Sequence, residues 1–256
     1  MKHRRSTLLV STAIAALLCA AAVSAQPVSR LKGRVVDEQG APVEGAEVRA
    51  EALFGFAAGD YVGQRTFADR TNAKGEWSVQ GLKGGIWIFD AAAPGRLPDA
   101  VAVPIHLLIA AGSGASGLML PWQLVLRVAT PPPDDLYKSL VAGADMVRAG
   151  DRGAVRLVVS GIPEDADAAL VAAGGRVALV ARDAPGARGL FVRAVERDPK
   201  SFAAALGAAS AALMLRDFDA ASRGFAAARD RTANKDEQKY LSAALDELRQ
   251  VHISNK

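Results

Sequence analysis

The sequence predicts a chain of two parts, a β-sheet half followed by an α-helical half, behind an export signal. Two observations carry the division. Composition shifts near residue 130: Gly, Pro and Val dominate upstream, where all three Trp lie, while Ala, Leu, Arg and Asp dominate downstream. The apolar pattern changes at the same place, from short runs between Gly and Pro to longer runs at helical spacing. A third observation, the amino-terminal composition, sets residues 1–25 apart from both halves.

Met1 to Arg5 is basic, and Leu8 to Val23 is an apolar run broken only by Ser11 and Thr12. Val23-Ser24-Ala25 then offers the small residues that a signal peptidase reads, which places cleavage before Gln26. The run of about 16 residues falls short of the roughly 20 that a spanning helix needs. Cys19 follows Leu18 rather than the small residue that lipoprotein processing wants, so no lipid anchor is expected.

Cleavage changes the charge argument. Three of the 31 Lys and Arg leave with the signal and none of the 27 Asp and Glu does, so the mature chain carries +1. A chain so nearly neutral has no basic field to attract nucleic acid. The single Cys also leaves, so the mature chain has no disulfide of its own and must be held by packing.

In the first half, Leu31 to Asp37 alternates and ends at the turn Glu38-Gln39-Gly40-Ala41-Pro42, where Gly40 permits positive φ and Pro42 resists pairing. Ala46 to Ala52 reads as a second strand and Gln64 to Thr71 as a third, closed by Asn72-Ala73-Lys74-Gly75. Glu76 to Val79, Ile86 to Ala91 and Leu124 to Ala129 follow. The apolar stretch Val101 to Leu120 contains Pro104, His106 and three glycines, and reads as a strand running into a loop rather than a membrane span. Short strands at this spacing predict a sandwich.

The residues from Gly33 to Val48 (GRVVDEQGAPVEGAEV) resemble the opening of carboxypeptidase regulatory-like domains. The pattern continues with Thr71-Asn72-Ala73-Lys74-Gly75-Glu76-Trp77, Gly81-Leu82 and Gly85-Ile86-Trp87. The resemblance covers roughly residues 30–129 and implies a seven-stranded prealbumin-like β-sandwich over 26–129. Leu53 to Gly63 and Ala110 to Leu120 depart from it as insertions. The resemblance puts Trp77 and Trp87 in the core and leaves Trp122 as the better surface aromatic.

Thr130 to Asp135 carries three consecutive prolines, a stiff extended linker, and then two Asp suited to start a helix. Helices are expected over 136–149, 154–159, 167–182, 187–197, 201–216, 220–230 and 236–251. Ala187, Phe191 and Ala194 recur 34 residues later as Ala221, Phe225 and Ala228, and Arg182-Asp183 as Arg216-Asp217. A 34-residue period of helix pairs resembles tetratricopeptide repeats, so 136–256 is expected to be a short array of two clear repeats and a degenerate third. By that resemblance its inner face carries Arg176, Leu179, Val180, Leu206, Ser210, Leu213 and Met214. An apolar groove with one cation suits an extended peptide bearing an acidic group or a free carboxylate.

Chemistry is scarce. Once His3 leaves, only His106 and His252 remain, one in each half, and no Cys is left to ligate zinc. Neither His adjoins a nucleophile motif, and Gly112-Ser113-Gly114 lacks the Lys of a phosphate loop. Asp37, Asp69 and Asp99 read as turn residues, and Asp134-Asp135 lacks the ligand series of a calcium loop. No catalytic residue, metal or cofactor is expected. The sequence reads as an exported, periplasmic or secreted, non-catalytic protein of the bacterial envelope that binds a peptide or protein partner or acts as a scaffold. The alternatives are a carbohydrate or cell-wall module acting through the sandwich, or an accessory subunit of an envelope enzyme. Nucleic acid and a stable membrane span are not expected.

Overall fold

A computed structural model describes residues 29–55, 66–105 and 118–254. The signal, both expected insertions over most of their length, the Gly112-Ser113-Gly114 segment and His106 lie outside the described residues, as does the side chain of His252.

Seven strands come first: β1 (Ser29–Val36), β2 (Glu47–Phe54), β3 (Thr66–Arg70), β4 (Glu76–Leu82), β5 (Gly85–Ala92), β6 (Asp99–Ile105) and β7 (Leu118–Arg127). They form a three-stranded sheet, β4-β1-β7, and a four-stranded sheet, β3-β2-β5-β6. Alternation fixes which side chains meet between the sheets. Leu31, Val79 and Leu124 come from one sheet and Val48, Phe89 and Val101 from the other, all buried. Trp77 and Phe89 meet across the gap with ring centroids 5.8 Å apart. Gly33 is required here, because a Cβ would stand 2.2 Å from the Trp77 ring.

Strands β5 and β6 do not alternate. Seven of the eight β5 residues and all seven of β6 are buried, because both faces of this sheet edge are covered. That is why Val101 onward looks hydrophobic enough to resemble a span; among the described residues no helix is long and apolar enough to cross a membrane. Strand β7 starts six residues before the expected Leu124. Pro121 suggests a break, but it falls where the register with β1 shifts, a position that tolerates a missing N–H donor.

Seven helices follow: α1 (Asp135–Arg148), α2 (Ala154–Ser160), α3 (Ala168–Val180), α4 (Ala184–Arg197), α5 (Phe202–Met214), α6 (Phe218–Arg229) and α7 (Lys235–Ser254). Most start at a side-chain cap. Asp134 accepts from Leu136 N at 2.7 Å, Asp167 from Leu170 N at 2.7 Å, and the repeat-related Asp183 and Asp217 from Gly186 N and Ala220 N at 3.1 and 3.0 Å.

The pairs α3–α4 and α5–α6 are the two repeats. Phe191 of α4 is fully buried against Gly175 of α3 and Gly207 of α5, where an added Cβ would meet its ring at 2.8 and 2.2 Å. Phe225 occupies the equivalent buried place in the next unit. The large ring on one helix and the missing side chains on its neighbours are two sides of one packing solution.

Candidate binding site

The seven residues expected on the inner face lie on α3 and α5, the first helices of the two pairs. The structure does not leave them as an open groove. Leu179, Ser210 and Leu213 have no exposed surface, Val180 and Leu206 are 5 % and 6 % exposed, and Arg176 and Met214 are half-buried. Strand β6 accounts for this. Helices α3, α5 and α7 all pack on it, and the buried apolar residues of sheet and helices form one continuous cluster.

Strand β6 begins with Asp99. Asp99 is buried rather than placed at a solvated turn, and burial raises its carboxyl above the usual range, opposed first by the positive charge of Arg176. Asp99 Oδ2 also accepts from Arg127 N at 2.7 Å. Small side chains let the helices come close: Ala100 pairs with Asp90 and Ala102 with Ile88, so these four share one side of the sheet.

A cluster of charges fastens the join. Asp90 of β5 is 2 % exposed. Its Oδ1 accepts from Arg148 Nη1, at the end of α1, and its Oδ2 accepts from Arg182 Nη2 at 3.1 Å. Each arginine has a second carboxylate on β2: Arg148 lies 3.3 Å from Glu47, and Arg182 Nε donates to Glu51 at 2.9 Å. Arg49 Nη1 donates to Arg148 O at 3.0 Å, satisfying a carbonyl at the α1 C-terminus.

The repeat is visible in this join. Arg182 and Arg216 close α3 and α5 with φ of 66° and 59°, a left-handed conformation that costs a non-glycine residue about 1 kcal/mol. Both reach β2: Arg182 binds Glu51, and the Arg216 guanidinium lies 4.2 Å over the Phe54 ring. Equivalent corners of successive repeats therefore grip the same strand.

Helix α7 closes the far side. Glu237, 1 % exposed, accepts from Arg127 Nε at 2.9 Å and Nη2 at 2.5 Å, and from the Thr232 hydroxyl. Trp122 is not a surface aromatic: it is 7 % exposed and packs on Tyr240 of α7, with ring centroids 6.3 Å apart. Sequence reasoning missed Asp90, Arg148, Arg127 and Glu237. The one available signal was Asp90, an acid inside the apolar run Ile86 to Ala91.

Among the described residues no group of three or more His, Cys, Asp or Glu is placed to hold a metal ion. No family model and no curated protein matches the chain. Several solved structures are similar. PcrH from Pseudomonas aeruginosa is 20% identical, with 47% of this chain and 94% of that one covered and a TM-score of 0.36. The type III secretion chaperone SycD of Yersinia enterocolitica, in complex with a peptide of the translocator YopD, is 17% identical, with 49% and 98% covered and a TM-score of 0.37. The 3-chlorocatechol 1,2-dioxygenase of Rhodococcus opacus 1CP is 12% identical, with 41% and 61% covered and a TM-score of 0.31. Likenesses at these scores assign no activity to this chain.

Proposed function

We propose that this protein is an exported, non-catalytic scaffold of the cell envelope that binds a protein partner, built from a prealbumin-like sandwich and tetratricopeptide-like repeats. The observation that carries the reading is a helical half, built of the stacked pairs α3–α4 and α5–α6, that leaves large apolar side chains exposed while its α3, α5 and α7 seat β6. An array of helix pairs that holds an extended strand on its inner row has the architecture of a peptide-holding module. Here that row is filled by the chain's own sheet, so the array displays and braces the sandwich. Partner contact falls to surfaces that remain exposed, among them Val192 of α4 and Leu157 of α2, 46 % and 79 % exposed.

This placement changes what a mutation at the inner face measures. Leu213→Arg puts a cation into a fully buried site and undocks the sheet, so loss of capture in that variant reports packing. The informative experiment places a photo-crosslinking residue at Val192, Leu157 or Lys32 of the exported chain in cells. A saturable crosslinked protein product at Val192 or Leu157, absent at Lys32, is the expected result. The absence of any saturable product at the two helical positions refutes the protein-binding reading. Mass spectrometry of the same material gives a mature chain beginning at Gln26; retention of Met1 to Ala25 refutes export with cleavage.

A further inference from the structure

The face of the three-stranded sheet that bears Lys32 holds a depression of about 410 Å³, within the roughly 300–1,000 Å³ range of small-molecule sites. Its floor is set by strand register. Lys32 of β1 pairs with Ser78 of β4 on one side and Gln123 of β7 on the other, so the three side chains stand in one row. Arg30 adds a second cation to the lining, Arg70 enters from the end of β3, and Asn72 from the β3–β4 connection.

The acids at this site are already in use, whereas two of its three cations, Arg30 and Lys32, have no carboxylate partner among the described residues; the third, Arg70, lies 3.9 Å from Glu47 and donates to Gly45 O at 3.4 Å. Asp69 accepts from Arg70 N and Ser78 N, each at 2.8 Å, and Glu76 accepts from Asn72 Nδ2 at 3.1 Å. Among the described residues the Arg30 side chain donates to the Ser78 hydroxyl alone, at 3.1 Å, and its Nε is buried without a partner. Lys32 is exposed and has no ion-pair partner among the described residues. A planar guanidinium and an ammonium therefore stand with spare donors beside the Gln123 amide; Asn72 Oδ1 already accepts from Lys74 N and Glu76 N, so that side chain offers its remaining amide hydrogen, and the Ser78 hydroxyl offers its own hydrogen. Cations of this kind suit a carboxylate, and amides with a hydroxyl suit the alcohol groups of a sugar.

We propose that this depression binds a carboxylated saccharide, with Arg30 and Lys32 on the carboxylate and Asn72, Ser78 and Gln123 on the ring hydroxyls. The site is independent of protein capture, and its test involves no partner protein. The full chain is titrated calorimetrically with a galacturonate oligomer, a neutral glucan oligomer of equal length, inorganic phosphate and a short acidic peptide. Saturable binding of the galacturonate oligomer is expected, at least tenfold tighter than any other probe and weakening as salt rises. Lys32→Glu, a change at an exposed position, lowers that affinity tenfold or more with no shift in the thermal midpoint. Lys74→Glu, at the neighbouring turn and outside the depression, keeps it within twofold. Absent binding, equal binding of glucan, phosphate or the peptide, or an unchanged affinity in Lys32→Glu each overturns the proposal.

Discussion

Replacement of Asp90 by alanine tests how the two halves are joined. The side chain is 2 % exposed and accepts from two guanidiniums that are themselves 8 % and 13 % exposed. Removing one partner of a buried pair costs about 3–5 kcal/mol, because the remaining charge stays buried. Here each arginine keeps a second carboxylate, Glu47 at 3.3 Å or Glu51 at 2.9 Å, which moderates the loss to about 3 kcal/mol. With a urea dependence of about 3 kcal/mol per molar for a unit of this size, the midpoint falls by about 1 M. The molecule supplies a probe for each half. All three tryptophans, Trp77, Trp87 and Trp122, lie on strands, so fluorescence follows the sheets while ellipticity at 222 nm follows the helices. The apolar interface and the ion cluster make the two transitions coincide in the parent chain and fall together in Asp90→Ala. The sequence on its own favours separable halves joined by the Pro-rich segment; the interface leads to joint unfolding. Two separate transitions in the parent, or a midpoint unmoved by Asp90→Ala, refutes the ion cluster as the fastening.

Two further predictions concern packing and pH. Gly207→Ala forces a Cβ to within 2.2 Å of Phe191 and destabilises by about 1–3 kcal/mol, whereas Gly189→Ala, in the same array with nothing within 4 Å, stabilises by about 0.5–1 kcal/mol; opposite shifts in thermal midpoint check the pair. Burial, with Asp246 beside it, pushes the Glu247 carboxyl up to about 7 from its ordinary 4.5. The folded state thus holds a proton that the unfolded chain releases between those values, so stability falls as pH rises from about 4.5 to 7, by about 1 kcal/mol once solvent screening of this half-exposed group is counted. Glu247→Gln removes that slope in urea titrations at pH 5 and pH 8; an unchanged slope refutes the assignment.

The resemblance to tetratricopeptide repeats implies an inner row with Leu179, Leu206 and Leu213 and the cation Arg176, but it does not give exposure: Leu179 and Leu213 have no exposed surface. Periodicity shows that a helix has an apolar face and says nothing of what covers it. The cover is strand β6, which lies on the other side of the Pro-rich segment in the chain, and nothing in the local pattern of Asp99 to Ile105 names the helices it meets. Trp122 illustrates the same limit: an aromatic in a strand reads alike whether α7 lies over it or water does. The depression on the three-stranded sheet was not legible at all, because Arg30, Lys32, Arg70 and Gln123 converge only through the parallel pairing of β1 with β7 and the return of the chain through β3 and β4.

The sequence by itself determined the order of elements, the change from sheet to helix near residue 130, the helix starts at Asp134 and Asp167, and the repeat that places Phe191 and Phe225 alike; the caps Asp183 and Asp217 start their helices two or three residues before the expected 187 and 220. These follow from forces acting over a few residues or one repeat: turn conformations, caps, and the alternation of apolar side chains. Only the tertiary structure decided that the array closes over β6, that Asp90 fastens it, and that Arg182 and Arg216 turn the same strained corner toward β2. Those outcomes depend on which surfaces exclude water from one another, and that is settled between segments far apart in the chain.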